Sequence, residues 1–180
     1  MKAISIVLVT ILSVACLLAV VDVSGVQAQP PGKGKGKGFG KGGGGGPGMQ
    51  ADREIFHFLL DNRKDIRRTI TKLDDGVETL TESDKAEVTK KIQEHVESMH
   101  RRVSNGQGIH LRDPLFAEIF RYYDKIVMKI EKTAKGVKVK ETSKDPYVIQ
   151  LIQAHAEVVS KFIANGYDEV HRNHSLPKAK

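Results

Sequence analysis

An α+β fold made by tandem duplication is predicted by three features of this 180-residue sequence. Residues 56–106 align with 116–166 at an offset of 60 without a gap. Each copy alternates apolar and polar residues on both sides of a glycine, the pattern of a half-buried hairpin. Each copy also has helical spacing of apolar residues before and after that hairpin. The prediction is two α-β-β-α units whose hairpins join in a four-stranded antiparallel sheet, covered on one face by helices and related by a pseudo-two-fold axis. A four-helix bundle is the alternative, if the hairpin segments extend the helices.

The duplication rests on fourteen identities in the 51 aligned positions, among them Phe56/Phe116, Gly76/Gly136, Gln93/Gln153, His95/His155 and Asn105/Asn165. The first helix of each unit is carried by Ile55-Phe56…Leu59-Leu60 and by Leu115-Phe116…Ile119-Phe120. The first strand follows in Ile66/Arg68/Ile70 and Ile126/Met128/Ile130, which alternate with polar neighbours. Gly76 and Gly136 end a short polar turn, where a positive φ is expected. Val77-Glu-Thr-Leu-Thr and Val137-Lys-Val-Lys then return as second strands. Ser83-Asp84 and Ser143…Asp145-Pro146 signal the start of the long helices, and Asn105-Gly106 and Asn165-Gly166 their left-handed ends.

Before the repeats lie two segments of different character. In residues 1–28, Lys2 precedes an apolar run from Ala3 to Val21 and then Val26-Gln27-Ala28, the parts of a secretory signal with cleavage after Ala28. The predicted location is therefore periplasmic or extracellular, with an uncleaved membrane anchor as the alternative. Cys16, the single cysteine, lies inside this run, and the sequence around it departs from a lipobox. Cleavage removes the only thiol, which excludes disulfides, thiolate metal sites and a cysteine nucleophile. Residues 29–50 are nearly all Gly, Lys and Pro and predict a disordered linker. No strand precedes these glycines and no GK[ST] closes them, so they are not a phosphate-binding loop. Residues 51–177 remain for one globular domain of two repeats, 51–110 and 111–170, with 171–180 as a C-terminal tail.

The net charge of +7 belongs mostly to the ends: Lys33, Lys35, Lys37 and Lys41 in the linker, and Lys178 and Lys180 at the tip. The repeats are close to neutral, which argues against a specific nucleic-acid partner. The basic linker suits a weak contact with an anionic cell surface. Arg67-Arg68 and Arg101-Arg102 are not matched by charge in the second repeat and read as solvated positions.

His95 falls on the apolar stripe Val88, Ile92, Val96, Met99 and Val103, and His155 sits identically among Val148, Leu151, Ile152, Val159, Phe162 and Ile163. An imidazole in such a stripe is neutral, hydrogen-bonded or ligating. Two symmetric neutral imidazoles can hold a haem iron from both sides or begin a Cu or Zn site. No CxxCH motif is present, so a haem b would be bound non-covalently. Met99, without a Met counterpart, and His57, matched by Ala117, are the further candidate metal ligands. His171 and His174, three apart near the C-terminus, read as parts of a solvated tail, and Glu97 and Glu157 as surface residues. Paired carboxylates in a cleft are not evident, so the sequence leans away from an enzyme.

The phrases FHFLLDNRKDIRRTI, KIQEHV, LRDPLFAEIF and IQAHAEVVS, across about residues 52–177, resemble a family of uncharacterised exported bacterial proteins. The resemblance implies a single domain in a bacterial envelope and brings no activity with it. Two functions follow from the residues: an exported small binding protein holding a metal ion or haem through His95 and His155, or a structural or protein-interaction module of the envelope with inert core histidines. Oligomeric state is not encoded in any feature of the sequence.

Overall fold

The computed structural model describes residues 47–178, which belong to one compact unit. The leader, Cys16 and the linker up to residue 46 lie outside the described residues. Two copies of one unit follow each other: α1 (Pro47–Asp61), β1 (Arg67–Leu73), β2 (Gly76–Glu82) and α2 (Ala86–Ser104), then α3 (Pro114–Arg121), β3 (Val127–Thr133), β4 (Gly136–Thr142) and α4 (Pro146–Asn165). A short α5 (Tyr167–Val170) and the C-terminal segment end the chain. α1 starts at Pro47, inside the segment expected to be linker, because proline's fixed φ suits a first helical turn.

The sheet is antiparallel throughout, in the order β1-β2-β4-β3. The second strands of the two hairpins are therefore neighbours at its centre. Their register sets Gly76 against Thr142, Thr79 against Val139 and Glu82 against Gly136. Thr79 and Val139 are repeat partners, so the pseudo-two-fold axis passes between them. Arg68, Ile70, Val77, Thr79, Thr81, Met128, Ile130, Val137, Val139 and Glu141 all share the face turned to the helices, since side chains alternate along a strand. The opposite face carries Thr69, Thr71, Glu78, Lys129, Lys138 and Lys140 and meets solvent.

The long helices are exchanged over the hairpins. Val88 and Ile92 of α2 pack on Val137 and Val139 of the second hairpin, while Val148, Ile152 and Ala156 of α4 pack on Val77 of the first. Gln93 Nε2 donates to the carbonyls of Thr133 and Gly136 at 3.2 and 3.0 Å, and Gln153 Nε2 to those of Leu73 and Gly76 at 3.0 and 2.8 Å. Ser83 N–H donates to Lys135 O and Ser143 N–H to Asp75 O, each at 2.9 Å. Lys132–Glu97 and Lys72–Glu157 ion pairs complete the same exchange at the surface. Residues identical in the two copies thus make much of the contact between them.

The turn glycines correct one expectation. The positive-φ glycines among the described residues are Gly106 (61°) and Gly166 (64°), at the ends of α2 and α4, and not Gly76 or Gly136. At Gly76 and Gly136 the constraint is space: an added Cβ would lie 1.9 Å from Glu141 O and 2.0 Å from Thr81 O, on the neighbouring central strand. The helix starts differ between copies. Asp145 accepts from Tyr147 N–H at the start of α4, whereas Lys85, its partner at the start of α2, caps with no side chain.

Candidate binding cavity

α2 and α4 stand on opposite hairpins, and between them, under α1 and α3, lies a cavity of about 480 Å³. Its walls are mainly apolar, formed by residues such as Phe56, Leu60, Val96, Phe116, Val159 and Phe162. Met49, Arg53 and His57, all exposed on α1, border it on the outer side. The four residues singled out as ligand candidates, His95, His155, Met99 and His57, all line this one space. His57 is the outermost of them, packed edge-on against Tyr167 at 5.7 Å.

His95 and His155 are each seated by the equivalent phenylalanine of their own repeat. The His95 ring lies over Phe56 at 6.1 Å with the rings nearly parallel, and His155 meets Phe116 edge-on at 5.0 Å. Enclosure by protein pushes both imidazoles down to about 4, so both are neutral at physiological pH. His95 Nδ1 is buried and has no hydrogen-bond partner among the described residues. Beside it, Asp52 of α1 accepts from Ser98 Oγ and pairs with Arg102 at 2.5 Å, which fixes α1 on α2. Burial would raise the Asp52 carboxyl, but those two donors outweigh it and hold the group low. Arg102 is therefore an interior ion-pair residue rather than a solvated one, while Arg101 is exposed as expected.

Arg68, Glu141 and His110 also face the cavity, where the sequence pattern did not place them. Arg68 was expected in solvent; instead it projects from β1 beneath the helices, and Nη1 donates to Thr81 Oγ1 at 2.6 Å. Its Nε–H is buried without a partner. Desolvation lowers the guanidinium to about 10 despite the opposite charge of Glu141. Glu141, on β4, is enclosed in the same space and pushed up by burial to about 7, Arg68 opposing the shift. His110, at φ 57°, is turned into the cavity edge-on to Phe116 at 4.9 Å, and burial lowers its ring below the usual range. The signal for Arg68 and Glu141 was present in the strand alternation, which puts both on the apolar face. Their repeat partners, Met128 and Thr81, occupy equivalent points of the same wall.

The C-terminal segment also departs from expectation. His174 is buried, with Nδ1 2.5 Å from Asp113 and Nε2 2.9 Å from Glu169. Burial opposes its charge, but the two carboxylates win and raise its pKa. Asp113 is the residue that caps α3, accepting from Leu115 N–H at 2.9 Å. The segment expected to be solvated is thus anchored beside α3, while His171 remains exposed.

Among the described residues no three His, Cys, Asp or Glu side chains gather closely enough to hold a bare metal ion. No family model, curated protein or solved structure matches the chain.

Proposed function

We propose that this chain is an exported small binding protein that encloses an apolar small molecule between its two repeats. The observation that carries the reading is the single cavity onto which both copies turn the same neutral histidine. A volume of about 480 Å³ falls within the roughly 300–1,000 Å³ of small-molecule sites. An apolar wall with a few convergent polar groups is the usual make-up of such sites. Inert core histidines would close against each other or against the backbone; here both rings sit against phenylalanines on the wall of an open space, and the enclosed His95 Nδ1 has no partner.

Non-covalent haem is the occupant whose chemistry suits two neutral imidazoles, since its macrocycle supplies the other four ligands to iron. A bare Cu or Zn ion suits the site less well, because it needs more protein donors than this pair. The test is titration of residues 29–180, which contain every described element, with haemin and separately with Cu and Zn, followed by absorbance. A stoichiometric six-coordinate spectrum that His95→Ala, His155→Ala removes supports the haem reading. If wild type and double variant bind equally poorly and the variant only melts lower, the histidines are structural and the envelope-module function takes its place.

A further inference from the structure

The two halves of the cavity floor are not alike where the repeats diverge. In the second copy Met128 of β3 lies opposite Glu141 of β4; in the first, Arg68 of β1 lies opposite Thr81 of β2. A neutral side chain therefore fits the position that Arg68 occupies, and the fold itself does not require a guanidinium there. Burying a cation in an apolar wall is costly unless something answers it. Thr81 takes only Nη1. Glu141 acts on Arg68 across the cavity without closing an ion pair. Nη1 is taken by Thr81 and Nε–H is enclosed without a partner, which leaves Nη2 as the donor that can meet a group inside the cavity.

We propose that Arg68 receives, through Nη2, a carboxylate carried by the apolar molecule that fills the cavity. This assignment rests on the reading of the cavity as a ligand site and names the ligand's polar end. A carboxylate on a large apolar body has two chemical sources, the propionate of a porphyrin and the head group of a fatty acid. Both bring one or more anionic oxygens to the guanidinium and apolar surface to the phenylalanine walls. Thr81 holds the guanidinium in place before the ligand arrives, so little side-chain freedom is lost on binding.

Calorimetric titration of residues 29–180 with dodecanoate, dodecanol, iron-free protoporphyrin IX and haemin tests the assignment. Dodecanol has the same apolar body as dodecanoate without the charge. At least one carboxylate ligand is expected to bind ten-fold or more tighter than dodecanol, and Arg68→Met to abolish that advantage while leaving dodecanol binding within about two-fold. Arg68→Lys, which keeps the charge but loses the guanidinium that Thr81 holds in place, should recover only part of it. A gain seen with both porphyrins but not with dodecanoate makes the carboxylate a propionate; the reverse makes it a fatty acid. Carboxylates that bind no better than dodecanol, or as well to Arg68→Met, overturn the role of Arg68 and leave the cavity reading standing. Failure of all four probes to bind overturns the cavity reading as well.

Discussion

Gln93 and Gln153 occupy equivalent positions in the two long helices, and each clamps the hairpin turn of the other repeat with two hydrogen bonds to main-chain carbonyls. An amide that satisfies two carbonyls at once holds both helix position and turn geometry. Gln93→Ala and Gln153→Ala are each expected to destabilise the fold by about 1–3 kcal/mol, because carbonyls lose their donor as well as the hydrogen bonds. The two sites lie on opposite hairpins with no shared partner, so the double variant should be close to additive. Urea unfolding of the four proteins checks both statements, and strong non-additivity would show that the clamps are coupled.

Gly76 and Gly106 are both glycines by necessity, but for different reasons, and substitution separates them. Gly76→Ala drives a methyl into Glu141 O on the neighbouring strand and should cost about 3 kcal/mol or prevent folding. Gly106→Ala puts a side chain at φ 61° and presses on the Tyr123 ring, a movable side chain. It should cost about 1–2 kcal/mol. Thermal melts that rank the two in the opposite order would contradict the close-approach account of the turn.

The cavity groups set a pH dependence whose sign can be worked out. His95 and His155 titrate at about 4 in the fold and near the ordinary 6.5 when unfolded, so their neutral burial is harmless above 6.5 and costs stability as pH falls towards 4. Glu141 titrates at about 7 against 4.5 unfolded, so its penalty is absent below 4.5 and grows as pH rises to 7. Each of the three is worth about 3 kcal/mol over its range. Arg68 on β1 is the charged group that acts on Glu141, and His95 on α2, His155 on α4, Asp52 on α1 and His110 in the loop before α3 line the same cavity. Arg53, His57 and Arg63 line the α1 side. The two histidines outweigh Glu141 below 6.5, which predicts a stability maximum near pH 6.5 and a fall on its acid side. Glu141→Gln should remove that group's share of the decline between about 6.5 and 7 and leave the histidine limb steeper. Chemical denaturation at a series of pH values measures both limbs; an unchanged profile in the variant would refute the buried state of Glu141.

His174 should behave as an anchor with the opposite pH sense. Its pKa is raised in the fold, so its contribution is complete below the unfolded value of 6.5 and is lost as pH rises through the folded one. His174→Ala leaves Asp113 and Glu169 buried with one partner fewer and is expected to cost about 3 kcal/mol at pH 6. The cost should shrink at pH 9. Proteolysis beyond α5 should become rapid in the variant, and a tail as resistant as the wild type's would argue against the anchor.

The repeat made the architecture legible. Each element appears twice, so a strand suggested by Ile126/Met128/Ile130 supports the less regular Ile66/Arg68/Ile70. The same doubling led to His95 and His155. Arg68 and Glu141 are harder to read because their charge argues for solvent, whereas strand phase alone puts both side chains inward. The second half of a pair can be missed when only one copy carries it. His174 was unreadable because both its partners depend on tertiary structure: Asp113 lies 61 residues away, and Glu169 is brought alongside by the turn after α5.

The exchange of long helices gives this chain the logic of a covalent dimer. One α-β-β-α unit alone has a hairpin without its covering helix and a helix without its hairpin, so it can close its core only against another copy. The segment 105–113 removes the concentration dependence of that encounter. It also ends the enforced equality of the two halves, since a site on a symmetric axis must present the same residue twice. Freed from that equality, one wall can carry a cation at Arg68 where its counterpart keeps Met128, and a space built by symmetry can acquire a head and a tail.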